Sequence, residues 1–67
     1  MSVARVTEIK SSSPESFDHA IRTGIERASK TLDNVRGAWI QDQEIVVRDG
    51  NVTEFRVLMK VTFLLRD

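Results

Sequence analysis

Cysteine is missing from this chain, and histidine, tryptophan and proline occur once each. Without cysteine there is no disulfide, no thiolate metal site and no cysteine nucleophile. A single histidine argues against a histidine-rich metal centre. The three glycines stand apart at 24, 37 and 50, which leaves no glycine-rich phosphate loop. No apolar run is long enough to span a bilayer and the start is not signal-like, so no membrane partner is expected. Ten basic residues balance ten acidic ones. No basic block provides the positive stripe that nucleic acid requires, so no nucleic-acid partner is expected. A cysteine-free chain fits the cytoplasm.

The 67 residues make one domain, 1–67. A domain of this size buries only about 60% of its unfolded surface. Small scaffolds commonly add a disulfide, a metal or partner subunits. With the first excluded, oligomerisation is the expected remedy.

What is present centres on the stretch from Val52 to Leu65. Phe55, Val57, Met59, Val61, Phe63 and Leu65 recur at every second residue, placing all six on one face of a strand. The opposite face carries Glu54, Arg56, Leu58, Lys60, Thr62, Leu64 and Arg66. Leu58 and Leu64 keep that side from being plainly wet, so it also meets something.

Upstream, residues 3 to 9 are β-branched and partly alternating and read as a short strand. A helix follows over residues 14 to 32. Ser13 is its expected N-cap with Pro14 in the first helical position and Glu15 in the first turn; Ser12 capping with Glu15 in a capping box is the other register. Phe17, Ile21, Ile25, Ala28 and Leu32 form the apolar stripe, with Ala20 and Gly24 at its margin. Gly24 costs about 1 kcal/mol against alanine, which implies a close approach to the sheet or to a neighbouring subunit. The solvated face offers the pairs Asp18–Arg22 and Glu26–Lys30. Asn34 suits a left-handed exit. Residues 36 to 48 read as a second strand whose alternation slips, calling for a bulge near Asp42 to Glu44. Asp49-Gly50 is a tight-turn pair joining it to the last strand. The expected fold is α+β: β-α-β-β, a three-stranded antiparallel sheet wrapped on one helix.

The candidates for chemistry are few. His19 lies about 170° around the helix from the apolar centre and is expected in solvent, so a Ser-His-Asp hydrolase finds no nucleophile–base pair and no enzyme is expected. Asp42 and Glu44, two residues apart, offer a cation two hard oxygen ligands; a wet surface pair is the alternative. Trp39 shares a strand side with Gly37 and Gln41. With Ala38 and Ile40 facing the helix, the indole points outward, to a subunit interface or a planar ligand. Arg56 and Arg5 are expected on that outer face.

Taken together, the chain resembles the dodecins, flavin-sequestering proteins that form hollow shells of twelve subunits. The matching residues are Ser12-Ser13-Pro14-Glu15-Ser16-Phe17, Ala20-Ile21, Arg27-Ala28, Thr31-Leu32-Asp33-Asn34-Val35, Phe55-Arg56-Val57 and Lys60-Val61-Thr62-Phe63. The resemblance covers nearly the whole chain and rests on the order and density of matches rather than on one motif. It implies a homododecamer whose outer sheet faces are buried between subunits. It also implies a flavin site at or near Gly37, Trp39, Glu44 and Arg56, but with departures. Gly37 stands where the flavin-binding members carry a stacking tryptophan. Arg56 replaces a glutamine that bonds the ring edge, and Glu44 replaces an arginine found in some members. The pattern is closest to the branch lacking the usual tryptophan and glutamine, for which calcium binding has been proposed, with Asp42 and Glu44 as the acidic candidates. The resemblance therefore implies a binding and storage protein for a small molecule or cation, or alternatively a flavin (riboflavin or FMN) buffer using Trp39 and Arg56.

Overall fold

The computed structural model describes residues 2–65. It runs β1 (Ala4–Ser13), α1 (Phe17–Thr31), β2 (Val35–Arg48) and β3 (Asn51–Leu64). The sheet order is β1-β3-β2 with both pairings antiparallel. The alternating segment is thus the central strand, as its two partly apolar faces demand. Arg66 of the outer-face set lies outside the described residues.

The helix starts later than expected. Ser13 remains in the ladder opposite Phe55, so its backbone cannot also open a helix. Its hydroxyl instead accepts from the Glu15 N–H at 3.0 Å, turning the chain toward α1. The N-cap is Ser16, in extended conformation, whose hydroxyl accepts from the His19 N–H at 2.9 Å. Phe17, the first helical residue, then meets Phe55 edge-to-face with centroids 5.1 Å apart. β1 accordingly continues through Ser11-Ser12-Ser13, four residues beyond the segment that its β-branched residues mark. Lys10–Ser13 have no intrinsic taste for strand and are held by pairing with Phe55–Leu58.

The helix seats Ala20, Gly24 and Ala28 against the sheet, all buried, with Phe17, Ile21 and Ile25 packed beside them. Ala20 and Gly24 therefore join Ala28 at the centre of the stripe rather than standing at its margin. The reason is distance: a Cβ on Gly24 would lie 2.7 Å from Met59 Cε and 2.9 Å from Ser11 Cβ. Beneath it Val57, Met59 and Val61 are fully buried, and the Ser11 hydroxyl donates to the Ala20 carbonyl at 2.7 Å. The Asp18–Arg22 pair forms at 2.9 Å, while Glu26–Lys30 is not among the ion pairs of the described residues. Leu32 closes the helix and Asn34, at φ 59°, makes the left-handed exit.

α1 lies over β1 and β3 and barely reaches β2. The inward residues of the distal hairpin, Ile45 and Val47, consequently stay 47% and 54% exposed. The hairpin closes with Asp49 and Gly50 at φ 50° and 78°, the two positive values that a type I′ turn requires. β2 slips register between Val35/Gly37, Ile40/Asp42 and Val46/Val47. The middle irregularity is the expected bulge, one step early, with Gln41 as the unpaired residue. Arg5 pairs with Phe63 and so belongs to the helix side, not to the outer face beside Arg56; β1 has the parity of Ile9, which packs on the core.

Gly24→Ala separates two opposing effects. Alanine gains about 1 kcal/mol of helix propensity, but overpacking costs about 1–3 kcal/mol. Met59 Cε can swing away, whereas Ser11 Cβ is fixed to a paired strand. The expected outcome is a net loss of about 1 kcal/mol in chemical denaturation; a stabilised variant would show that the helix can lift without cost.

Candidate functional site

Strand registers set the outer face row by row. The first row holds Val6, Thr62 and Gly37; the second Glu8, Lys60 and Trp39. Next come Lys10, Leu58 and Asp42, then Ser12, Arg56 and Glu44. Gly37, Trp39, Asp42, Glu44 and Arg56 therefore share one face, away from α1. The Gln41 bulge brings this about. Without it the parity of Trp39 would turn Asp42 and Glu44 toward the helix.

Trp39 is 53% exposed, with Lys60 Nζ 5.4 Å from its ring centroid. Nothing lies within 4 Å of the place a Gly37 Cβ would take, leaving open space two residues from the indole. Glu44 is engaged across the sheet by Lys10 at 3.2 Å. Arg56 points its fork at Glu54, Nε to Oε1 and the terminal nitrogen to Oε2, both at 3.4 Å. Hydrogen bonding by the Ser12 hydroxyl, then by Arg56, holds the Glu54 carboxyl below its usual range. A shallow pocket lies between these groups, lined by Lys10, Ser11, Ser12, Glu54 and Arg56. Asp42 makes none of the ion pairs among the described residues. Among those residues no three acidic, histidine or cysteine side chains gather as a metal cluster. Asp42 and Glu44 supply hard oxygens on one face but too few to enclose a cation within one chain.

On the helix side, sequence reasoning missed one constellation. His19 is exposed as expected, yet its Nδ1 lies 2.7 Å from Ser13 Oγ and its Nε2 3.0 Å from Glu15 Oε2. A nucleophile–base–carboxylate arrangement is thus present, contrary to expectation. Its geometry is structural: Ser13 is 2% exposed, and its oxygen already accepts from Glu15 N–H, so no substrate carbonyl can reach it. The clue in the sequence was the spacing, since a residue in the first turn faces back toward the strand that precedes the helix. A second groove, of about 530 Å³, lies between β1 and α1 with Ile9, Gly24, Ala28 and Leu32 in its lining.

A β-α-β-β chain whose single helix covers one side of a three-stranded sheet defines a small α+β subunit with one sheet face left open. The comparisons agree. The family model described as Dodecin matches residues 3–66, and this chain belongs to the dodecin family. The calcium dodecin of Mycobacterium tuberculosis is 30% identical over 66 residues, covering 98% of this chain and 93% of that protein. The solved dodecin from Streptomyces davaonensis superposes with a TM-score of 0.94 at 41% identity, covering 98% and 97% of the two chains. The structure of the Mycobacterium tuberculosis calcium dodecin, described as having a novel calcium-binding site, gives 0.82 at 29% identity over 96% and 91%.

The lowered Glu54 carboxyl carries a pH signature. A group that binds its proton less tightly when folded contributes stability above its unfolded value, 4.5, and loses that contribution as pH falls through the folded value. Glu54→Gln is therefore expected to be less stable than the parent at neutral pH, with the two stability curves converging in acid. A gap of constant size down the acid limb would contradict the assignment.

Proposed function

We propose that this chain is a non-enzymatic subunit of a homododecameric binding and storage protein in the cytoplasm, taking a small molecule or cation on the outer sheet face through an altered flavin pocket. The observation that carries this reading is the convergence of Gly37, Trp39, Asp42, Glu44 and Arg56 on the one face that α1 leaves uncovered. The stacking position is glycine, and the ring-edge position is an arginine committed to Glu54. Both departures weigh against the ordinary flavin arrangement. For a cation, Asp42 and Glu44 of symmetry-related subunits would pool their oxygens. That arrangement requires Lys10 to release Glu44, and the calcium dodecin of Mycobacterium tuberculosis lends it support.

A second reading, a flavin buffer, is favoured by the exposed indole beside the open space at Gly37. Trp39 would stack the ring and Arg56 would meet its polar edge or phosphate. Native mass measurement with calcium and riboflavin titrations separates the readings. The first predicts a twelve-subunit particle that binds calcium, loses that binding in Asp42→Asn with Glu44→Gln, and leaves riboflavin fluorescence unchanged. Quenching of riboflavin or FMN fluorescence would establish the second reading instead, and a particle that binds neither would defeat the cation and the flavin readings alike.

A further inference from the structure

We propose that Lys60 makes the Trp39 face selective for planar anions. The ligand class is an aromatic ring bearing a carboxylate, stacked on the indole with its charge on the Lys60 ammonium. This rests on the outer-face ligand reading above and adds a ligand class and a specificity-determining residue to it.

Three cations project from the middle rows of the outer face: Lys10, Arg56 and Lys60. Two are committed, Lys10 to Glu44 and Arg56 to Glu54. Lys60 makes none of the ion pairs among the described residues, although Glu8 stands directly across from it on β1. Its ammonium rests over the Trp39 ring instead. A cation over a half-exposed ring is a weak partnership compared with a charge-assisted hydrogen bond to a carboxylate. An incoming anion therefore exchanges a weak contact for a stronger one, and the uncovered indole face becomes its stacking surface.

The row beside the indole has room for the ring. Gly37 leaves open space, with Thr62 and the exposed Val6 continuing the row across the sheet. A neutral ring gains the stacking alone. A cationic ring has to share the indole with an ammonium.

Trp39 is the one tryptophan of the chain, so a single indole N–H resonance reports the site in the assembled protein. The probes are 2-naphthoate and its neutral counterpart 2-naphthamide, each titrated into the intact protein. Naphthoate is expected to bind about fivefold more tightly, with the difference shrinking in high salt. In Lys60→Gln the two affinities become equal while naphthamide binding holds. Gly37→Leu tests the space independently. Gly37 is not among the positive-φ residues and a Cβ there meets nothing within the chain, so in the variant that keeps the parent's native mass both probes weaken together. Equal affinities in the parent protein, or a preference that survives Lys60→Gln, would overturn the role of Lys60 while leaving a ligand site at Trp39. If neither probe moves the indole resonance, the ligand site at Trp39 falls as well.

Discussion

One fifteen-residue helix has to shelter a sheet whose two longer strands run fourteen residues each, and it can do so on one side only. Contact is close because Gly24, flanked by Ala20 and Ala28, brings the helix backbone down onto Met59 and Ser11. That approach buries Val57, Met59 and Val61 completely. It also confines the helix to β1 and β3, leaving the distal hairpin and the whole opposite face without cover from within the chain. For a domain near the lower limit of independent stability, such an imbalance leaves a sheet face that sister subunits of a dodecin-type assembly would cover.

The outer face acquires its chemistry through backbone geometry. A strand alternates strictly, so the face on which a residue stands is a matter of parity. The bulge at Gln41 resets that parity within β2: Trp39 before it and Asp42 and Glu44 after it end on one side. Ile45 meanwhile stays on the side of Phe55, where the hairpin's apolar residues gather. The charges then sort across strands, with Lys10 reaching over β3 to Glu44 and Arg56 turning along β3 to Glu54. Individually these exposed pairs contribute little to stability.

Much of this was legible in the residues. Period-two alternation from Phe55 onward marked the central strand and its buried face, Asp49-Gly50 marked the turn, and the broken alternation of β2 marked the bulge. Trp39 on the outer face followed from Ala38 and Ile40 facing inward. Less visible were features decided by tertiary contact. Ser13 was a good N-cap by type, but its ladder with Phe55 moved the cap to Ser16. Large residues suggested the centre of the helix stripe, whereas close packing selected the small ones. Arg5 was misplaced because residues 3 to 9 alternate only in part, and only the register with β3 sets their parity. The Ser13–His19–Glu15 contacts depend on that same junction.

The central claim is that one helix leaves this sheet half covered, so that folding and assembly are one event. The direct measurement is the denaturation midpoint as a function of protein concentration, followed alongside sedimentation. Coupled folding and assembly predicts a midpoint that rises with concentration, and loss of the large particle together with loss of structure. A midpoint independent of concentration, with a folded single subunit in dilute solution, would contradict it.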